Sequence, residues 1–434
     1  MDANIYSIEK SEILKIFLAE SEVVNKLLMM NGKLSEFRVC LHGVMGNEKI
    51  MAENKVSGHF FKDIEYLRGA ACALVLIQHI MWIRPIIFIQ ALIPECLWIG
   101  SGGFHIFFAI SGFVITYSLK DRLGGLSGDI FAKRLREFQN FLVSFYKRRF
   151  FRIVPVLILL IFSGAIFFTF TDFTVVQGKT EWARDLFRAP FEILFGTFNY
   201  SVSEFQFSAR IYGGGIGPLW TLAVESQFYL MWPIVLLFCR DNDQRMTWSL
   251  ILGCVFLFVV GPITSVYFPH KYYMPYNNLS ELFLGSFFAF IYDEKFKKSA
   301  NLGAKIFAFI LFMIIWGYPN SWKDGTPFYS DVVLNVASVL LLFTAVYFEG
   351  SCEVPFLKHI LSYLGSRSYS FYTIQLLLAN VTVWFTNSVY FPAESFTKYQ
   401  FYMVQFIIYI VVLVFSTEIV YRLIEKPARM LGRK

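Results

Sequence analysis

Arg68-Gly69-Ala70-Ala71-Cys72-Ala73-Leu74-Val75-Leu76-Ile77-Gln78-His79 places an arginine and a histidine eleven residues apart in an otherwise apolar run. Eleven steps of about 100° return the second side chain to within ~20° of the first, with a rise of roughly 16 Å between them. The pair therefore shares one face of a helix, one member deep and the other shallow. Ionisable side chains in hydrocarbon are costly enough to face protein and to be functional as a rule. The run predicts a membrane helix with a polar, working face.

The surrounding chain agrees. Of 434 residues, 56% are hydrophobic and 16% charged, well below the roughly 25% charged of soluble domains. Ten apolar segments have about the length a bilayer core requires: 64–83, 104–119, 153–171, 218–238, 247–267, 278–293, 303–318, 331–348, 368–388 and 401–421. With residue 1 inside, the inner loops and tail hold 21 Lys and Arg and the outer loops eight. Basic residues are retained on the cytoplasmic side during insertion, so both termini are expected there. The net charge of +7 reflects this asymmetry, and no nucleic-acid partner is needed to explain it. The expected fold is an all-α polytopic membrane bundle of about ten transmembrane helices, residues 63–434, in contact with membrane lipid. Residues 1–62 read as a partly helical cytoplasmic extension, with an amphipathic segment at Ile13–Met30 and no cleavable signal. The six cysteines show no metal-ligand spacing, and no metal is expected.

Several polar residues interrupt the apolar segments. Gly103, Gly112 and Ser111 in the second span read first as small residues that let helices approach closely, and His105 sits at the outer end, where a polar group costs little. Arg149 and Arg152 precede the third span three residues apart, hence on one helix face and at the depth of Arg68. A basic cluster beside a span serves topology or anionic headgroups. Three converging guanidinium groups also suit a polyanion, because arginine grips phosphate through paired hydrogen bonds. In Trp220-Thr221-Leu222-Ala223-Val224-Glu225-Ser226-Gln227-Phe228-Tyr229, the acid lies about 10 Å below the outer edge and His79 about 6 Å below it. They are expected to meet, either as a general base with its carboxylate or as a structural pair. Glu281 and Glu418 sit near span ends, within expected reach of interfacial water. Ser368-Tyr369-Ser370-Phe371-Tyr372-Thr373-Ile374-Gln375 brings hydroxyls and an amide into the ninth span, for either a polar cavity or interhelical hydrogen bonds.

Taken in order, these segments resemble the acyltransferase-3 family, integral membrane enzymes that O-acylate bacterial surface polysaccharides and other glycans. The resemblance covers about 63–430. It rests on the Arg68–His79 spacing, Gly103-Phe104-His105-Ile106-Phe107-Phe108-Ala109-Ile110-Ser111-Gly112-Phe113, Arg149-Phe150-Phe151-Arg152-Ile153-Val154-Pro155, the Trp220–Tyr229 segment and Glu425-Lys426-Pro427. It implies a multi-pass acyltransferase of the bacterial inner membrane. Such an enzyme takes an acyl group, typically acetyl, from acyl-CoA and delivers it to a hydroxyl of a carbohydrate acceptor. Arg68, Arg149 and Arg152 would hold the donor, and His79 with Glu225 would act at the transfer centre. His105, Ser111, Trp220, Tyr229 and Gln375 would face the substrates. Two positions depart from the family pattern: His105 stands where an acid is usual, and Gln375 where histidine is common. Some relatives continue into an external esterase-like domain, so a separate external partner is expected for any second transfer. The competing reading is a transporter or flippase for a lipid-linked saccharide, since buried charges among many spans also mark carriers.

Overall fold

A computed structural model describes residues 61–82, 102–124, 131–171, 179–203, 215–267, 273–317, 329–387 and 398–433. The N-terminal extension and its Ile13–Met30 segment lie outside the described residues. The rest is almost wholly helical: α1 (Lys62–Trp82), α2 (Gly103–Gly124), α3 (Phe131–Phe170), α4 (Lys179–Phe195), α5 (Phe198–Val202), α6 (Trp220–Phe238), α7 (Asn242–Val255) and α8 (Gly261–Tyr267) form the first part. They are followed by α9 (Pro275–Ile291), α10 (Leu302–Gly317), α11 (Tyr329–Tyr347), α12 (Lys358–Ser366), α13 (Ser368–Phe385), α14 (Lys398–Val420) and α15 (Lys426–Leu431). Single π-helical turns join α7 to α8, at Phe256–Val260, and α14 to α15, at Tyr421–Glu425.

Each of the ten expected segments falls on a helix. Among the described residues, five stretches are both long and apolar enough to cross a membrane: Gly103–Lys120, Leu142–Phe167, Gly217–Phe238, Asn242–Thr264 and Gln400–Leu431. α10 and the apolar part of α11 are shorter, and α1, α9 and α13 carry the acids, arginines and amides that lower their hydropathy. The expected inner loop 120–152 is largely helical. α2 runs on to Gly124 and α3 starts at Phe131, so Arg149 and Arg152 sit within one forty-residue helix.

Outward faces are apolar in stripes four residues apart. Ile158, Phe162, Ile166 and Phe170 on α3, and Met403, Ile407 and Val411 on α14, are exposed. Such continuous apolar exposure suits contact with lipid. Inside, Phe108, Phe113, Phe228, Trp232 and Phe283 are fully buried and interlock α2, α6 and α9.

Two helix crossings depend on reciprocal glycines. A Cβ on Gly112 of α2 would stand 2.0 Å from the Leu282 carbonyl oxygen, and one on Gly285 of α9 would stand 2.3 Å from that of Ala109. Gly69 of α1 and Gly365 of α12 meet Leu361 and Glu65 in the same way, each at 2.0 Å. The packing role expected of Gly112 is thus realised. Small residues let backbones touch where lipid supplies no hydrophobic drive.

A polar clasp ties the ends of α1, α9 and α11. Lys298–Ser299 (β1) pairs in parallel with Phe348–Glu349 (β2), and Gly350 turns with φ +82°. Asp63 then accepts from the Gly350 and Cys352 amides, both at 2.9 Å. Lys120 caps α9 by donating to the carbonyls of Ala289, Phe290 and Tyr292 at 3.2, 2.9 and 3.2 Å, where the helix dipole favours a cation.

Candidate functional site

Between α1, α2, α3, α6 and α13 lies an open cavity. Along α2 it extends from Phe104 to Ile115, a rise of roughly 16 Å. Arg68, Arg149 and Arg152 line it together with Ser111, Glu225 and Tyr229.

Each of these side chains is delivered by helix geometry. Glu225 and Tyr229 are one turn apart on α6, and the Tyr229 hydroxyl donates to Glu225 Oε2 in a short hydrogen bond. Ser111 Oγ donates to Oε1 at 2.6 Å, so Ser111 is a carboxylate partner as well as a small residue. Arg149 lies over the Tyr229 ring at 4.8 Å and the Phe145 ring at 5.4 Å, a cation–π seat that holds a guanidinium without neutralising it. Arg68 and Arg149 both lie within electrostatic reach of Arg152 and Glu225. None of the three arginines makes a salt bridge among the described residues. Three cations facing one carboxylate across a cavity leave an excess of positive charge there.

The other expected site residues stand elsewhere. His79 and Gln375 lie beside one another. His79 Nδ1 and both amide atoms of Gln375 are buried without a hydrogen-bond partner. The expected contact between His79 and Glu225 is not formed: both carboxylate oxygens already accept from Ser111 and Tyr229, while α1 turns its histidine toward α13. Trp220 is 3% exposed and packs edge-on against Phe104, Phe108 and Tyr273, outside the cavity lining. His105 is also buried. Its Nδ1 makes a short hydrogen bond to Glu281 Oε1. Ser280 donates to Oε2 at 2.9 Å, and the amide of Asn335 from α11 approaches Glu281 within 2.5 Å. Glu281 is therefore a fully buried partner in a polar cluster, not a residue at an aqueous edge.

Sequence reading gave no individual role to three contributors. Thr221 and Tyr372 line the cavity and hydrogen-bond to each other at 2.9 Å, and Tyr372 also donates to the Pro218 carbonyl at 2.5 Å. Their hydroxyls look like ordinary helix polarity in a linear sequence. Arg429 lies within electrostatic reach of Arg68 and Arg152. Its only signal in the chain is its position one turn after Glu425. No group of three or more His, Cys, Asp or Glu that could hold a metal occurs among the described residues.

A helical membrane protein with a largely apolar cavity into which arginines and a hydrogen-bonded glutamate project is the class this architecture defines. Residues 61–422 match the acyltransferase domain of the acyltransferase-3 type, and the chain belongs to that family. It is 26% identical over 407 residues to O-acetyltransferase OatA of Staphylococcus aureus (strain NCTC 8325 / PS 47), covering 88% of this chain and 59% of that protein. It is 24% identical over 362 residues to a putative O-acetyltransferase of S. aureus (strain COL), covering 78% and 54% respectively. The chain thus spans somewhat more than half the length of these relatives. No solved structure matches it.

Proposed function

We propose that the chain is a multi-pass O-acyltransferase of the bacterial inner membrane, with ten crossings and both termini in the cytoplasm. It would move an acetyl group from acetyl-CoA to a hydroxyl of a carbohydrate acceptor. The observation that carries this reading is the single cavity joining Arg68, Arg149 and Arg152 to Ser111 and Glu225 in a chain of this family. The arginines take the donor's phosphates by charge and paired hydrogen bonds. The extended pantetheine arm lies along α2, whose cavity-lining stretch of about 16 Å suits it.

His79, on α1 three turns from Arg68 and beyond the lining of that cavity, acts as general base. The acceptor hydroxyl loses its proton to the imidazole, its oxygen bonds to the thioester carbonyl carbon, the carbon–sulfur bond breaks, and the thiolate recovers the proton. Gln375, not Glu225, is the polar side chain beside the ring. Glu225 instead fixes Tyr229 and Ser111 and balances charge across from the arginines.

The test uses the full chain in vesicles with acetyl-labelled acetyl-CoA and a cell-envelope glycan fraction. Alkali-labile label should appear on glycan and fall by about 10²-fold or more in His79→Ala, the scale of a lost general base. Saccharide movement without acetylation, unchanged by that substitution, would instead support the transporter reading.

A further inference from the structure

We infer that the C-terminal helix α15 is part of the anion site and that Arg429 is a fourth guanidinium holding a phosphate of the donor. The inference rests on the reading above but follows from a different part of the molecule.

The π-helical turn at Tyr421–Glu425 shifts the phase of the last helix. Leu423 remains outside at 71% exposure, while Glu425 is driven in to 2%. There Glu425 Oε2 accepts from the Ser370 amide at 3.2 Å and from its hydroxyl at 2.5 Å, and Oε1 accepts from Arg429 at 3.3 Å. Ser370 follows Ser368 and Tyr369, both of which line the cavity, so this carboxylate seats α15 against the cavity wall. On its other side α15 lies along the basic stretch of α3. A Cβ on Gly432 would meet Phe151 Cβ at 3.0 Å and Arg148 Cα at 3.3 Å. Arg429, one turn after Glu425, is thereby set within electrostatic reach of Arg68 and Arg152, and its side chain is 38% exposed.

The resulting charge balance is informative. Arg68, Arg149, Arg152 and Arg429 face two carboxylates, Glu225 and Glu425, and Glu425 is already shared with Ser370. Like charges held together at the mouth of a cavity repel unless an anion joins them, and phosphate is the group whose geometry guanidinium matches. A donor with several phosphates needs more contacts than three arginines on two helices supply. Arg429 adds one from a third direction.

Direct binding tests this independently of turnover. Labelled adenosine 3′,5′-bisphosphate, which carries two of the donor's three phosphates, is titrated onto the full chain in neutral phosphatidylcholine vesicles. Arg429→Ala should weaken binding by about tenfold or more, as expected for loss of a charge-assisted contact, and Arg429→Lys, which can keep the Glu425 pair, should fall between. Arg422→Ala, an exposed partner of Glu418, should match the wild type. In the transfer assay, Arg429→Ala should raise KM for acetyl-CoA with kcat within about twofold. Unchanged nucleotide binding in both Arg429 variants overturns the inference. So does a defect that appears only when anionic lipid is present, which would assign Arg429 to headgroups. Failure of the wild type to acetylate glycan, with nucleotide binding still dependent on Arg429, would overturn the acyltransferase reading and leave the phosphate contact standing.

Discussion

Gly112→Ala should separate two helices on which the cavity depends. The added Cβ would stand 2.0 Å from the Leu282 carbonyl oxygen, 2.7 Å from its carbon and 2.8 Å from its Cα. All three are backbone atoms that no rotamer change can move. Relaxing the shortest contact to 3.4 Å requires α2 and α9 to part by about 1.4 Å locally. Overpacking of this kind costs about 1–3 kcal/mol, sometimes more. It also displaces the adjacent Ser111, which holds Glu225, and a shift of about 1 Å in a positioning group can cost ~10²-fold in rate. The matched control is Gly317→Ala, where an added Cβ meets nothing within 4 Å. Thermal unfolding in detergent and acetyl transfer in vesicles should both fall for Gly112→Ala and hold for Gly317→Ala. Equal melting and equal activity in the two variants would refute the argument that this crossing sets the cavity.

Arg149→Lys keeps the charge but loses the stacking over Tyr229 at 4.8 Å and the guanidinium fork. KM for acetyl-CoA should rise about fivefold or more with thermal stability unchanged, and an unchanged KM would remove Arg149 from the site. His105→Ala strands the buried Glu281 and should destabilise by about 3–5 kcal/mol, whereas His105→Ala combined with Glu281→Gln should regain part of that loss. Additive losses in a double-mutant cycle would show that the two side chains do not act as a pair. Asp63→Ala leaves the Gly350 and Cys352 amides without their acceptor. It should lower stability by about 2 kcal/mol without changing KM, as measured by unfolding in detergent and by the transfer assay.

The helices were legible because apolar runs of bilayer length leave few alternatives for a backbone that must satisfy its own hydrogen bonds. The gathering of Arg68, Arg149 and Arg152 was legible too, since periodicity fixes depth and face. Periodicity says nothing about which neighbouring helix a given face meets. Counting along the spans puts Glu225 and His79 at similar depths, yet they point at Tyr229 and Gln375 respectively. The buried His105–Glu281 pair spans 176 residues of chain and depends on the Gly112–Gly285 crossing, a contact that a single sequence does not encode locally. Arg429 was hidden for a different reason. The π-helical turn before it breaks the regular spacing from which its direction would be read.

At about 1.5 Å per residue, the forty-residue α3 measures roughly 60 Å, about twice the thickness of the hydrocarbon layer. The stretch of it long and apolar enough to cross a membrane is Leu142–Phe167, so the basic turns from Phe131 onward extend beyond that stretch. In the proposed reaction, a hydrated, highly charged donor arriving from solution would meet these basic turns before it sheds its water. Capture and desolvation become separate events along a single rod. Shortening that rod by whole turns should slow arrival while leaving the buried chemistry intact.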